Sequence, residues 1–147
     1  MPEKETLERA EEDKREGKAP STQAGEFVRE EIEHVREGKH GARSTKQAIA
    51  IGLSKARRAG VELKPPKKGK ASKKTRKQAA RDLRKGKTAG KKKSAKRSHA
   101  TSSALKREGR SAAAKRALSR QARSAAKKRS AASRSRAAKK AAATRKK

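Results

Sequence analysis

The chain has 147 residues, of which 47 are Lys or Arg and 15 are Asp or Glu, so its formal net charge at neutral pH is +32. It has no cysteine, no Trp or Tyr, and a single Phe. This composition excludes disulfides, cysteine zinc sites and thiol nucleophiles, and it indicates a polyanionic partner. The sequence also has no apolar run of transmembrane length and no signal-peptide pattern, so we expect a cytoplasmic protein. The inventory of residues leads us to expect that it is not an enzyme.

The net charge and the apolar residues occupy different parts of the chain. Residues 1–62 hold 13 acidic and 13 basic residues, whereas residues 63–147 hold 34 basic residues and only Asp82 and Glu108 as acids. Large apolar residues concentrate within residues 27–63, and a segment without them cannot offset its conformational entropy. The sequence therefore predicts an all-α protein with three regions: a charged N-terminal helix and linker (1–20), an αα-hairpin head (21–63) and a long, mostly disordered basic tail (64–147).

The first predicted element is a charged helix over residues 3–16. It consists of strong helix formers, with Pro2 before it and Gly17 after it. Only Leu7 and Ala10 give this helix an apolar side, so we expect it to be mostly solvated.

The first head helix is predicted over STQAGEFVREEIEHVREG, with an N-cap at Ser21 or Thr22 and a left-handed stop at Gly38. A helical spacing places an apolar stripe on one side and an acidic ridge on the other. We expect the ridge to be solvated; the alternative is that it holds the basic tail loosely and tunes its affinity. The stripe comprises Ala24, Val28, Ile32 and Val35 with Phe27 at its edge, and the ridge comprises Glu26, Glu30, Glu33 and Glu37.

The second head helix is predicted within RSTKQAIAIGLSKARRAG. Ser44 and Gln47 fit a capping box, and Gly60 fits the position just past the end of the helix. Gly52 lies in the middle of the apolar face, which predicts a close approach of the first head helix. Ile51 lies off that face, and we predict that it contacts a partner or a second copy of the head, which would make a homodimer. The alternative is that the N-terminal helix folds back and covers it.

The tail that follows Pro65 and Pro66 is a low-complexity mixture of Ala, Lys, Arg and Ser. Lys and Arg neutralise phosphates, whereas base reading and base stacking need rigid groove-edge or aromatic side chains that the tail lacks. The tail therefore predicts sequence-nonspecific binding to duplex DNA or structured RNA, of which we favour duplex DNA. We expect binding to induce helix near residues 111–129. The predicted nucleic-acid-binding residues are Lys46, Lys55, Arg57, Arg58, Lys67, Lys68, Lys73, Lys74, Arg76, Lys77, Lys91, Lys92, Lys93, Lys127, Lys128 and Arg129.

Other candidate sites are weak in this sequence. The histidines His34, His40 and His99 are scattered without metal-ligand spacing, so no metal site is predicted. The segment KGKT, residues 85–88, is similar to the end of a phosphate-binding loop, but Arg81 stands where the first glycine is required. We expect no catalytic residue and no cofactor.

The segment from residue 21 to residue 61 resembles a family of small bacterial proteins of unknown function, with KQAIAIGLSKARRAG as its most specific element. Members are sometimes labelled plasmid-stabilisation or histone-like proteins. The tail, including ALKREGR and ALSRQARSAAKKR, is similar in composition to the tails of bacterial linker-histone-like proteins. The resemblance implies a histone-like protein of the bacterial nucleoid and supplies no catalytic residues. The alternatives are an RNA-binding protein of ribosomal character and a plasmid-maintenance accessory factor.

Overall fold

The computed structural model describes residues 1–88 and 94–145, and every regular element in these residues is helical. The predicted all-α class is therefore confirmed. None of the described helices is long and apolar enough to cross a membrane. The elements are α1 (Lys4–Arg15), α2 (Pro20–Glu37), α3 (Thr45–Arg58), α4 (Lys73–Lys87), α5 (Ala95–Lys106), a 3-10 helix (Ser111–Ala113), α6 (Lys115–Lys127) and α7 (Ala131–Arg145).

Helices α2 and α3 pack against each other in antiparallel directions at the centre of the fold. At one end of the pair, Ala48 of α3 joins Ile32 and Val35 of α2 in a buried cluster. At the other end, Ala56 of α3 joins Phe27 of α2 in a second buried cluster. The apolar stripe read from the sequence of α2 thus faces α3.

Local capping rules account for the loop between these two helices. Gly38 ends α2 with a φ of +79°, the left-handed conformation predicted for it. Ser44 begins α3 as predicted, since its side-chain oxygen accepts the Gln47 N–H at 3.2 Å. The other half of the capping box is displaced by one residue, because Gln47 Oε1 accepts the backbone N–H of Arg43 at 2.7 Å.

Helix α2 begins earlier than predicted, at Pro20, with Ala19 as its N-cap residue, whose side chain makes no capping hydrogen bond. Proline suits the first turn of a helix, because the N–H that it lacks would have no intrahelical partner there. The predicted cap at Ser21 or Thr22 is therefore wrong.

Helix α1 packs on α2 more closely than its sequence suggests. Thr6 and Ala10 are buried, and Leu7 packs against the cluster that contains Phe27. The predicted helix is confirmed, but one side of it belongs to the core.

Gly52 lies at the crossing of α2 and α3. A Cβ atom at this position would lie 2.6 Å from Val28 Cα and 2.9 Å from the Phe27 carbonyl oxygen. Both neighbours are backbone atoms that cannot rotate away, so only glycine permits this approach. The predicted close contact is confirmed.

The predicted long, mostly disordered tail over residues 64–147 is not supported. The described residues of this segment form α4 to α7 and the 3-10 helix. Ala, Lys and Arg have high helix propensity, which accounts for the local structure. The scarcity of large apolar side chains predicts disorder, but the segment docks through alanines, Leu118 and one buried carboxylate.

The 3-10 helix completes the core of the head. Ala112 and Ala113 are 5% and 0% exposed and pack with the cluster between α2 and α3. Thr45 Oγ1 donates a hydrogen bond to the Ala112 carbonyl at 2.6 Å, and Arg36 Nε donates one to the Ala113 carbonyl at 3.0 Å. Two alanines from the predicted tail are thus core residues.

Helix α4 docks on α3 through Asp82, which is 1% exposed. Its carboxylate accepts hydrogen bonds from Ser54 Oγ and Arg58 Nε, each at 2.8 Å, and from Gln78 Nε2 at 3.0 Å. Burial works to raise the pKa of Asp82, but the donors from Ser54, Gln78 and Arg58 outweigh it and the pKa is lowered. Asp82 is therefore ionised at neutral pH and links α4 to the head.

Candidate nucleic-acid interface

The cations at the end of α3 that were predicted to bind nucleic acid already contact other groups of the protein. Arg57 is 7% exposed, its Nε donates to the Leu63 carbonyl at 3.0 Å, and burial lowers its pKa. Arg58 pairs with Asp82. A guanidinium group that already donates hydrogen bonds within the protein is poorly placed to contact phosphate. Lys46, at the start of α3, is exposed and remains accessible.

Lys55 is held by a buried pair of glutamates. Its Nζ lies 3.1 Å from Glu30 Oε1 and 2.7 Å from Glu31 Oε2, and these glutamates are 1% and 0% exposed. Burial opposes the charge of Lys55, but the attraction of Glu31 and Glu30 outweighs it and raises the pKa of Lys55. The predicted solvated ridge is therefore wrong at Glu30, and Lys55 serves the fold.

The predicted cations between α3 and α5 are mostly accessible. Arg76 is the half-buried one, and its Nε donates to the Pro66 carbonyl at 3.2 Å. The predicted residues 91–93 lie outside the described residues. The exposed members of this group are Lys67, Lys68, Lys73, Lys74 and Lys77.

Helix α6 carries an ordered row of cations that the sequence prediction mostly missed. Four exposed basic residues follow one another at spacings of four, three and four, which places them on one side of the helix. Leu118, on another side, packs against the core cluster of α2 and α3. We call the row the α6 stripe; it consists of Arg116, Arg120, Arg123 and Lys127.

The α6 stripe matches the scale of a nucleic-acid backbone. At about 1.5 Å of rise per residue the stripe is about 16 Å long, which corresponds to about five phosphates along one strand of duplex DNA. The ion pairs found in residues 1–88 and 94–145 involve acids of the first 62 residues or Asp82, and none includes a residue of the stripe. Nothing in the described chain thus neutralises these four cations.

The region around the start of α7 adds further positive charge. Lys128 is exposed as predicted, and Arg129 is exposed while its Nη2 donates to the Ser133 carbonyl at 3.1 Å. None of the described residues of α7 is buried. The exposed cations of this helix are Arg134, Arg136, Lys139, Lys140 and Arg145.

Ile51, the predicted partner contact, is half-buried on α3. Its contact with a partner or a second head stays a prediction.

Two of the three histidines lie together, contrary to the expectation that they are scattered. The ring centroids of His34 and His40 are 6.1 Å apart, with an angle of 84° between the rings. With Glu31 they form a group whose metal-ligating atoms all lie within 4.8 Å of one another. His99 is exposed on α5. The residues that could hold a metal ion are therefore Glu31, His34 and His40.

The N-terminal segment reaches this group through Glu3. Glu3 Oε1 lies 2.9 Å from His34 Nε2 and 3.0 Å from Lys39 Nζ, and the Glu3 backbone N–H donates to Glu30 Oε2 at 3.1 Å. The contacts with His34 and Lys39 lower the pKa of Glu3 to about 2. Glu3 thus connects the start of the chain to α2 and to the loop after it.

Comparison with known proteins finds a likeness for the head. No curated protein and no solved structure matches the chain. The KQAIAIGLSKARRAG element as the most specific part of the resemblance, the bacterial origin implied by the head, and the resemblance of the tail to linker-histone-like proteins stay predictions. Residues 14–69, which run from the end of α1 through α2 and α3 to the exit from the head, match a family of unknown function, DUF6496.

Proposed function

We propose that the protein binds duplex DNA without preference for base sequence, through phosphate contacts of the basic helices that follow residue 63. The observation that carries the proposal is the α6 stripe, a row of exposed cations on a helix that is packed against the core through Leu118. Each cation that neutralises a phosphate releases condensed counterions, which gives affinity without base reading.

The chain offers no aromatic platform on which bases could stack. The single aromatic residue of the Phe, Trp and Tyr type is Phe27, which is 1% exposed in the core. Base stacking by single-strand binders needs exposed aromatic rings. The free guanidinium groups of the α6 stripe lie on one side of a single helix, a row that suits successive phosphates of a strand. These features favour backbone contacts over base stacking.

The charge distribution supports the same partner. Residues 109–147 contain no acidic residue at all. A surface of this kind attracts any polyphosphate, so RNA can make the same phosphate contacts as DNA. A direct competition between DNA and RNA distinguishes the two partners. In a bacterial cell, binding of this kind would place the protein on the nucleoid, in keeping with the resemblance of its tail to linker-histone-like proteins.

The test is a charge-matched comparison in the full chain. The first variant replaces the α6 stripe with glutamine, and the control replaces four exposed cations of α1 and α2 with glutamine. Both lose four positive charges. The variants are Arg116→Gln, Arg120→Gln, Arg123→Gln and Lys127→Gln for the stripe, and Lys4→Gln, Lys14→Gln, Arg15→Gln and Arg29→Gln for the control.

The measured quantity is the slope of log K for a duplex against log salt concentration. Each phosphate contact contributes about 0.9 to this slope, so loss of the stripe should make the slope shallower by up to about 3.6. The control should leave it nearly unchanged. Equal losses in the two variants would show that net charge alone matters and would refute the stripe as the interface.

A further inference from the structure

The group formed by Glu31, His34 and His40 contains a buried carboxylate whose hydrogen-bonding capacity is unmet. Glu31 is 0% exposed, and its Oε1 accepts no hydrogen bond from a described residue. Oε2 has the ammonium of Lys55 at 2.7 Å, and Oε1 faces His40 Nε2 at 3.2 Å. A buried carboxylate is costly unless its oxygens meet a donor or a cation, so Oε1 in particular lacks a partner.

The ring of His34 is oriented by a carboxylate on one side. Its Nε2 contacts Glu3 Oε1 at 2.9 Å, which assigns the ring proton to Nε2 in the neutral tautomer. Nδ1 then carries a lone pair, and it lies 3.9 Å from Glu30 Oε1. The lone pair of His34 is therefore directed toward the buried carboxylate of Glu30.

The ring of His40 follows the same pattern. Its Nδ1 contacts the Gly41 carbonyl oxygen at 3.0 Å, so the ring proton belongs on Nδ1 in the neutral form. The lone pair of Nε2 then faces Glu31 Oε1 at 3.2 Å. Two acceptors that face each other at this distance need a proton or a metal ion between them.

The charges around this group are unbalanced. The two buried carboxylates, those of Glu30 and Glu31, share one ammonium group, that of Lys55. At the surface, Glu3 and Glu37 share the ammonium of Lys39. With both histidines neutral, one negative charge lacks a cation. Glu30 and Glu31 are buried, so solvent cannot supply that compensation cheaply.

We propose that Glu31 Oε1, His34 Nδ1 and His40 Nε2 bind a divalent transition-metal ion of the zinc class. Two imidazoles and one carboxylate are an established ligand set for tetrahedral Zn²⁺, with bonds of about 2.0–2.2 Å and a fourth position open to water. Such bonds separate the donors by about 3.3 Å. One ligating atom from each of the three residues lies within 4.8 Å of the others, and shifts of about 1 Å bring such atoms to that spacing.

The surroundings fit a metal ion in two further respects. A metal-ligating histidine normally donates its other ring N–H to a carboxylate or a carbonyl, and Glu3 and Gly41 occupy these positions. Lys55 lies against Glu31 Oε2 and donates to Glu30, so it keeps both contacts when Oε1 binds the ion. The site thus requires no rearrangement of the buried ion pair.

The ion would stabilise the contact between the head and the segment that leads to α6. The loop that carries His40 donates two backbone hydrogen bonds to this segment, from Gly41 to the Leu105 carbonyl at 2.9 Å and from Ala42 to the Gly109 carbonyl at 3.0 Å. A fixed His40 holds this loop in place. We therefore assign the metal a structural role in positioning the basic helices.

The experiment titrates the full chain with Co²⁺, whose tetrahedral complexes have an intense visible absorption, and then displaces it with Zn²⁺. Glu31→Gln and His40→Gln remove one ligand each, and His99→Gln is the matched control. We expect the wild type and His99→Gln to give the tetrahedral spectrum, and each ligand variant to lose at least tenfold in Zn²⁺ affinity. Glu3→Gln should lose about 10–100-fold, as outer-shell partners do.

Circular dichroism separates loss of binding from loss of folding. Without metal, the ligand variants should keep the helical spectrum of the wild type, and Zn²⁺ should raise the melting temperature of the wild type and of His99→Gln only. Unchanged Zn²⁺ affinity in folded His40→Gln and Glu31→Gln would overturn the proposal. It would equally be overturned by a folded wild type that binds no Zn²⁺.

Discussion

Asp82 is the residue whose replacement tests most directly whether the start of the basic segment is part of the folded head. In Asp82→Asn the side chain keeps its shape but loses the charge that Arg58 and Ser54 donate to. Breaking a buried ion pair costs about 3–5 kcal/mol. The Arg58 side chain is 43% exposed and can regain water, so we expect a loss of about 2–3 kcal/mol in the free energy of unfolding.

A second carboxylate provides the control, because it also reaches α4 but does so at the surface. Glu62 is 73% exposed and lies 3.8 Å from Lys87 Nζ. An exposed pair of this kind contributes about 0–1 kcal/mol, so Glu62→Gln should be nearly neutral. Urea denaturation followed by circular dichroism at pH 7 measures both variants.

The way in which the stability difference between wild type and Asp82→Asn changes with pH provides a further test. The folded-state pKa of Asp82 is lowered, so its stabilisation is present above the unfolded pKa of about 3.9 and is lost as the pH falls through the folded value. The difference between wild type and Asp82→Asn should therefore shrink in acid. Equal urea midpoints at pH 7, or a difference that grows toward pH 3, would refute a buried, ionised Asp82 as the link between α3 and α4.

Two further substitutions test the packing of the head. Gly52→Ala should destabilise the protein by about 1–3 kcal/mol, because its Cβ would meet the Val28 and Phe27 backbone, whereas Gly25→Ala in α2, with no atom within 4 Å of the new Cβ, should stabilise it by up to about 1 kcal/mol. Thermal melts of the two variants give the comparison, and a neutral or stabilising Gly52→Ala would place the helix crossing elsewhere. Thr45→Val should cost about 1 kcal/mol and speed tryptic cleavage at Arg110, since it removes the hydrogen bond to Ala112 that holds the 3-10 helix. Cleavage at the wild-type rate would show that this contact does not protect the segment.

Local sequence signals predicted the centre of the fold well. The stop at Gly38, the cap at Ser44 and the close approach at Gly52 each depend on one or two residues and their backbone requirements. These requirements can be read from a single sequence, because they hold whatever surrounds the helix.

The buried charges could not be predicted in the same way. A helical wheel places Glu30 on the polar side of α2, and its burial depends on Lys55 from α3 and the backbone N–H of Glu3. His40 joins His34 only because the loop after Gly38 folds back over α2. Such pairings are tertiary, and no periodicity in one element reveals them.

The basic segment has one feature that the sequence could predict and one that it could not. The α6 stripe was accessible to sequence analysis, because the spacing that gives an apolar side with Leu118 also gives a row of cations. The burial of Ala112 and Ala113 could not be predicted from the sequence, because two alanines in a three-residue 3-10 helix have no pattern that distinguishes core from linker.

The central claim, nonspecific binding through phosphate neutralisation, is tested most directly by salt titration of the full chain on two unrelated duplexes of equal length, with a structured RNA as competitor. If about ten phosphates are engaged, log K should fall with log salt at a slope near −9 on both duplexes, with closely similar affinities. Preferential capture by the RNA would favour the ribosomal alternative. A shallow slope with a strong preference for one duplex would contradict the account, because it would require base reading by a surface that offers phosphate contacts.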